Sequence, residues 1–151
     1  DFRKATLEAV VLDKADMTNV KMEGSIWAFV SAKGAGFYGA SLPEIDFSSS
    51  SLSGAFFDRA ILTCADLHGV NLTDVHLVET DLSRANLQDT ILENADLERA
   101  NLSGANLKNA QVTMEQLHHA TLNHETIMPD GSLFNPSNYP DWPRENYEQK
   151  Q

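Results

Sequence analysis

The sequence predicts an all-β solenoid, a chain that coils repeatedly around its own hydrophobic core. Two interleaved series of residues support this prediction. An apolar residue recurs at every fifth position from Phe2 to Val112, without exception over 23 positions. A second series, two residues earlier, consists mainly of small or β-branched residues such as Ala65, Ala85 and Thr90. Because only 42% of the chain is hydrophobic, chance does not explain so regular a period.

A period of five fits neither an α-helix nor a flat strand. Five residues of an α-helix turn through about 500°, so the apolar stripe leaves its face by about 140° with every unit. Successive side chains of a strand alternate between faces, so the apolar residues change face at each unit. Two inward residues separated by one outward residue fit a short extended segment. The chain must therefore turn once in each unit and close around a core.

The units also share a motif. Ala–(Asp/Asn)–Leu occurs at residues 65–67, 85–87, 95–97, 100–102 and 105–107. The motif resembles the signature of the pentapeptide-repeat family. The resemblance covers residues 1–112 without an insertion, and it is looser before Ala60, where Trp27 and Ala32 replace the usual Leu or Phe. It implies a right-handed quadrilateral β-helix with four units per coil and coils about 4.8 Å apart.

The repeat frame divides the chain into three parts. Residues 1–112 form the predicted pentapeptide-repeat β-helix. Residues 113–131 are predicted to form a short C-terminal α-helical cap and a final partial coil, because Thr113 and Gln116 have the spacing of a capping box. Residues 132–151 contain three of the five prolines and several aromatic residues. Because proline disfavours regular structure, this last part is predicted to be an irregular tail.

Residues four units apart share one column of the predicted core, so Phe47 is expected to lie between Trp27 and Leu67. Trp27 and Ala32 are consecutive central residues of one coil. An oversized residue beside an undersized one keeps the total core volume nearly constant. We therefore expect the indole to lean into the space that a leucine would fill at position 32. The alternative is a local bulge that turns Trp27 outward.

The net charge of −11 argues against direct nucleic-acid binding, because contacts to a phosphate backbone need clustered lysine and arginine. No apolar run approaches the ~18 residues of a membrane-spanning helix, so no membrane insertion is expected. The location stays open between the cytoplasm and, if a targeting segment has been removed, the periplasm or the thylakoid lumen. The oligomeric state is equally open.

We expect no enzymatic activity, no cofactor and no metal site. Catalysis needs a nucleophile beside a base, or carboxylates that converge in a cleft. The acidic residues of the repeats stand mainly at outward positions of a filled rod. His118 and His119 are neighbours on the predicted cap helix, so their side chains point apart. Cys64 is the single cysteine, which excludes a disulfide within the chain.

These observations favour a non-enzymatic structural or protein-interaction scaffold, because solenoids present long surfaces to macromolecular partners. The resemblance implies a family that is abundant in cyanobacteria, with related proteins in the chloroplast lumen. It also implies an alternative, a DNA-mimicking modulator of a type II topoisomerase, since some acidic family members resemble duplex DNA in shape and charge. We expect a protein partner, whose identity the sequence leaves open.

One unit departs from the polar pattern of the outward positions. Ile26, Ala28 and Phe29 all point outward in the repeat frame, among polar or small neighbours in the adjoining coils. An apolar spot with a polar rim has the layout of a modest protein-contact site. We expect Ile26 and Phe29 to be covered by a partner, a second molecule or the tail, where Tyr139 and Trp142 are the candidates. The alternative is that Phe29 folds back over a distorted corner.

The repeat frame spreads the negative charge over several faces, and the two most acidic faces are opposite each other. A duplex mimic needs carboxylates concentrated along one path. We therefore expect the purified protein neither to inhibit gyrase supercoiling nor to protect gyrase from quinolones. Inhibition at stoichiometric concentration in a supercoiling assay would instead favour the DNA-mimic alternative.

Overall fold

The computed structural model describes residues 2–143 and the backbone of residues 147 and 148. Its regular elements are β1 (Thr6–Glu8), β2 (Ile26–Ala28), α1 (Met114–His118), β3 (Leu122–Asn123), a 3-10 turn (Pro136–Asn138) and β4 (Tyr147–Glu148). β1 pairs in parallel with β2, and β3 pairs in parallel with β4. Elsewhere in the repeats, single bridging residues alternate with turns. No helix in the described part of the chain is long and apolar enough to cross a membrane.

The coils repeat with a register of 20 residues. Parallel bridges join residues that are 20 positions apart, from the pair Val11 and Ser31 to the pair Ile91 and Gln111. A turn follows every bridging residue, so the chain turns once per five-residue unit. The predicted coil length is therefore confirmed. After α1 the bridging continues, and Ile127 pairs with Asn106 at a spacing of 21 residues.

Each unit uses its backbone N–H groups in a fixed order, as residues 65–69 show. Two amides donate to carbonyls of the next coil, one donates to the previous coil, and one closes the preceding turn. The remaining amide, of His68, donates to Oδ1 of Asp66 at 3.0 Å. The backbone bonds are Leu67 N to Asn86 O, Gly69 N to Gln88 O, Asp66 N to Ile45 O and Ala65 N to Leu62 O. An Asp or Asn before the central residue thus accepts the one N–H of the unit that has no backbone carbonyl as its partner.

The last residue of each turn lies in the left-handed region of the backbone map. Gly69 has a φ of 69°, and Cys64 has a φ of 58° at the same position of its unit. Glycine, asparagine and aspartate adopt this conformation at the lowest cost, whereas bulky side chains adopt it rarely. This position therefore disfavours large apolar residues, and one that occurs there needs an explanation.

The central residues form the core. They are buried throughout the stretch from position 42 to position 107: Leu42, Phe47, Leu52, Phe57, Leu62, Leu67, Leu72, Leu77, Leu82, Leu87, Leu92, Leu97, Leu102 and Leu107. The small residues of the second series that are buried with them include Ala55, Ala65 and Ala105. The predicted inward register is therefore confirmed for these coils.

Four aromatic rings fill the core near its N-terminal side. Trp27 meets Phe47 edge to face at 4.9 Å between ring centroids, and Phe37 stacks on Phe57 at 4.7 Å. Trp27 also meets Phe37, half a coil away, at 5.8 Å. Trp27 and Ala32 are both buried, so the indole points inward and a bulge that turns it outward is excluded. Its lean towards Ala32 stays a prediction.

Helix α1 lies against the last complete coil. The predicted capping box is present, with Thr113 as the N-cap and Gln116 as its partner. Nε2 of Gln116 also donates to the carbonyl oxygens of Leu92 and Ala95, each at 2.8 Å. Leu117 is buried. The helix thereby supplies a donor to the carbonyl of Ala95, whose equivalent one coil earlier, the carbonyl of Val75, accepts the N–H of Asp96 in the next coil.

Leu87→Ala is expected to lower the free energy of unfolding by ~2–5 kcal/mol, because the buried side chain leaves a cavity between its neighbours in the column. Urea denaturation measures the change. The matched control is Leu133→Ala, at a position that is exposed, which should change stability by only ~0.5 kcal/mol. Equal effects of the two substitutions would contradict the core register.

Candidate protein-contact surfaces

Most outward positions of the coils carry polar side chains, which makes the exposed large apolar residues informative. Within the repeats these are Phe2, Val11, Ile26, Phe29, Tyr38, Phe56 and Ile61. Single exposed apolar residues are common on protein surfaces, whereas groups of them mark contact sites. Two groups stand on described coils: the Ile26 patch, formed by Ile26, Ala28 and Phe29, and the aromatic surface, formed by Tyr38, Phe56 and His76.

The Ile26 patch is open to solvent in the described chain. Phe29 is 74% exposed and Ile26 is 49% exposed, whereas Ala28 is partly buried. Ile26 pairs with Thr6 in the coil before and with Asp46 in the coil after. Its neighbours in the column are therefore polar, as predicted. The ring of Phe29 does not fold back onto the coil, so the alternative of a ring buried at the corner is wrong.

Phe29 occupies the turn position with a left-handed backbone. Its φ is 57°, a conformation that is uncommon for a bulky side chain. The turn holds the ring outward, where it contributes nothing to the core. The same backbone occurs at this position in the other units, for example at Cys64, so the fold explains the conformation of residue 29. It does not explain why an exposed phenylalanine stands there.

The described tail residues 132–143 do not lie at the Ile26 patch. Trp142 is only 5% exposed, and its ring packs on Phe134 at 4.9 Å, on His118 at 4.6 Å and on Tyr139 at 5.7 Å. Phe134 is buried, and its N–H donates to the carbonyl of Thr126. These aromatic residues therefore close the C-terminal end of the core around α1.

The suggestion that Tyr139 and Trp142 cover the Ile26 patch is therefore wrong. Ile26 lies in the second coil, and the chain returns to its column at residues 46, 66, 86, 106 and 127. With coils about 4.8 Å apart, this places Ile26 about 24 Å from the coil of Ile127. Tyr139 and Trp142 find their apolar contacts at that distant end, so the structure does not bring them together with Ile26, Ala28 and Phe29.

The aromatic surface was missed by the sequence analysis. Phe56 and His76 stack at 4.6 Å between ring centroids, and Phe56 is 42% exposed. The available signal was the unit position of Phe56, which in many units holds Asp or Asn. The signal is weak because one apolar residue at one outward position is unremarkable by itself.

Tyr38 is held beside this pair by a charged network. Nη1 of Arg59 donates to Oη of Tyr38 at 2.7 Å, and Nε of Arg59 donates to Glu79 at 2.9 Å. The guanidinium carbon lies 5.8 Å from the centre of the tyrosine ring. Hydrogen bonding to Glu79 raises the pKa of Arg59 above its already high ordinary value. Arg99 meets Glu79 from the next coil at 3.4 Å, so the network braces Tyr38 across several coils.

A cleft of about 670 Å³ opens beside α1. Its lining combines the carboxylates of Glu93 and Asp96 with the amide groups of Asn94, Gln111 and Gln116. Thr113 supplies the one hydroxyl of this lining, and that hydroxyl already bonds to the backbone and side chain of Gln116. No group of three metal-ligating side chains occurs among the residues that the structure describes. The chemistry of the cleft is that of hydrogen-bond acceptors and amides.

The fold and its outward surfaces define a class of protein, a β-helix solenoid of tandem five-residue units. The chain belongs to the pentapeptide-repeat family. The sequence model of that family, described as pentapeptide repeats, matches residues 40–77 and 80–113 in eight copies. A search of curated proteins gives no match.

Solved structures of other pentapeptide-repeat proteins are similar to this chain. The protein Rfr23 of the cyanobacterium Cyanothece is 25% identical with a TM-score of 0.53, and the match covers 54% of this chain and 55% of that one. This chain thus spans about half the length of that relative. A pentapeptide-repeat protein of the Arabidopsis thaliana thylakoid lumen is 22% identical over 80% of this chain and 77% of that one, with a TM-score of 0.39. QnrB1, a plasmid-mediated fluoroquinolone resistance protein, is 17% identical over 85% and 83%, with a TM-score of 0.41.

Trp142→Ala is expected to lower the free energy of unfolding by about 3 kcal/mol, because the indole covers Phe134 and the end of the core. Contacts in a solenoid reach only adjacent coils, so faster hydrogen exchange should be confined to the coils that carry Leu102 and Leu122. Hydrogen-exchange mass spectrometry measures this. Faster exchange around Ile26 would contradict the position assigned to the tail.

Proposed function

We propose that this protein is a non-enzymatic scaffold that binds a protein partner through the Ile26 patch. The observation that carries the proposal is the 74% exposure of Phe29 on a left-handed turn residue. The proposal includes a right-handed, four-sided coil in which α1 serves as the C-terminal cap. Such a rod is rigid, so it presents the patch without a large loss of conformational entropy on binding.

The patch has the chemistry of a small recognition site. Phe29 offers a large ring that a pocket of the partner can bury, and aromatic anchors of this kind dominate binding energies at interfaces. Ile26 and Ala28 extend the apolar area along the same coil. An area of this size suits a weak or transient complex rather than an obligate one.

The polar rim beside Ile26 is fixed in position. Asp46 accepts hydrogen bonds from the N–H of Ser48 at 2.9 Å and from its hydroxyl at 2.7 Å. Ser50 donates its hydroxyl to the carbonyl of Trp27 at 3.0 Å. These bonds hold the carboxylate next to the apolar side chains before a partner arrives. Apolar anchors inside a polar rim are the usual arrangement of a protein interface.

An enzyme is the less supported reading of the same molecule. Catalysis needs a nucleophile beside a base, and the one hydroxyl that lines the cleft beside α1, that of Thr113, is engaged in the helix cap. Binding through outward side chains needs none of these features. The proposal therefore rests on surface recognition alone.

Phe29→Ser is expected to abolish capture of the partner from an extract of the source cells while the protein stays folded. The ring makes few contacts in the free protein, so its removal costs little, whereas truncating an anchor weakens binding by ~2 kcal/mol or more. Affinity capture followed by mass spectrometry measures the loss. Leu133→Ser, which removes an exposed apolar side chain at the other end of the rod, should leave capture intact.

Phe29→Asn separates binding from folding more sharply. Asparagine tolerates a φ of 57° better than phenylalanine does, so the thermal midpoint should rise or stay the same while capture is lost. Retention of the captured proteins by both Phe29 variants would remove the Ile26 patch as the functional surface.

A further inference from the structure

A notch opens in the aromatic surface at Gly36. Parallel bridges place Gly36 between Asp16 in the coil before and Phe56 in the coil after. A Cβ atom built on Gly36 meets no other heavy atom within 4 Å. Because coils are about 4.8 Å apart, the side chains of Asp16 and Phe56 are separated by one coil that contributes no side chain. The notch is the space above the backbone of Gly36.

Two half-exposed aromatic rings border the notch. Tyr38 is 44% exposed and stands two residues after Gly36, in the turn that follows it. The hydrogen bond from Arg59 fixes its hydroxyl. The ring of Phe56 stacks on the imidazole of His76 in the next coil. Both rings are thus held in place without a ligand, which lowers the entropic cost of binding between them.

Two carboxylates stand at the same border. Asp16 lies directly before Gly36 in the column. Hydrogen bonds from Thr18 hold its pKa below the ordinary value for aspartate. Asp58 stands two residues after Phe56, and its Oδ1 accepts a hydrogen bond from the N–H of Val78 at 3.2 Å. The notch therefore combines aromatic walls with negative charge.

The fold does not explain the residues at these two positions. In many units an Asp or Asn at the position of Gly36 and Phe56 accepts the amide two residues on, as Asp66 does for His68, and other units have residues such as Ser31 or Ile61 there. Among the residues that the structure describes, the N–H groups of Tyr38 and Asp58 have no such acceptor. A place where a local rule is broken without a gain for the core is a candidate for function.

We propose that this notch receives an arginine side chain of a protein partner. A guanidinium is planar and stacks on aromatic faces, so the ring of Phe56 offers it a surface. The carboxylates of Asp16 and Asp58 attract its charge and offset the positive charge of Arg59, whose guanidinium lies 5.8 Å from the centre of the Tyr38 ring. The strongly acidic protein favours approach of a basic partner. Gly36 lies ten residues, or half a coil, from Ile26, so the two surfaces face different directions. The proposal does not depend on the Ile26 patch.

The direct test is a titration of the isotope-labelled protein with the acetylated, amidated peptide Ala-Ala-Arg-Ala-Ala, followed by NMR chemical shifts. Shifts should concentrate at the amides of Gly36, Tyr38 and Phe56. The same peptide with citrulline, which keeps the shape and removes the charge, should bind about fivefold more weakly. Equal binding of both peptides, or shifts spread over all acidic faces, would overturn the proposal.

Gly36→Asn tests the notch itself. The new side chain should accept the N–H of Tyr38, which raises the thermal midpoint, and it should fill the notch, which weakens binding of the arginine peptide about tenfold. Ser51→Asn is the matched control, at the same unit position on another face. It should raise the midpoint similarly and leave peptide binding unchanged.

Two further variants distinguish failure of the arginine site from misfolding of Gly36→Asn and from failure of the proposed Ile26 function. Tyr38→Ser removes one wall and should weaken the peptide about fivefold, even if Gly36→Asn fails to fold. Phe29→Ser should leave peptide binding unchanged, so loss of the Ile26 function and loss of the notch are separable. Undiminished binding to both Gly36→Asn and Tyr38→Ser would refute the arginine site.

Discussion

Hydrogen bonds between backbone groups about one coil apart are the interaction on which the rest of this structure depends. In the unit 65–69, three amides bond to adjacent coils, one closes a turn and one bonds to the side chain of Asp66. Buried backbone groups must be paired, so this order leaves little freedom in how long a unit can be. The core columns, the outward faces and the left-handed turn residues all follow from it.

Inward and outward residues of a unit have different roles in this protein. The central residue of every unit from Met22 to Leu107 is buried, and its neighbours at outward positions are free to vary. Where an outward residue is Asp or Asn, it also serves the turn. Where it is Ile26, Gly36 or Phe56, it does not, and the surface gains an apolar side chain or an open space instead. The two surfaces that we propose for recognition therefore both lie where an outward residue does not accept the turn amide.

The core also shows how far the repeat tolerates exceptions. Trp27 is accommodated among the rings of Phe37 and Phe47, at the expense of an indole N–H that has no hydrogen-bond partner among the described residues. An unpaired buried donor costs about 1–3 kcal/mol, which the added apolar contact of the large ring can offset. A solenoid accepts this because each coil packs only on adjacent coils, so a strained layer does not spread along the rod.

The sequence by itself determined the period, the inward register and the cap of α1, because each depends on residues that are close together in the chain or repeat at a fixed interval. It also assigned Phe29 an outward direction, since the repeat frame gives every position a direction, but it did not predict that the ring is uncovered in the described chain. Only the tertiary structure decided where the tail lies, because Trp142 is placed by apolar contacts with Phe134 and His118 that follow no period. It also revealed the notch at Gly36, since an open space is defined by side chains from coils that are distant in sequence and adjacent only after folding.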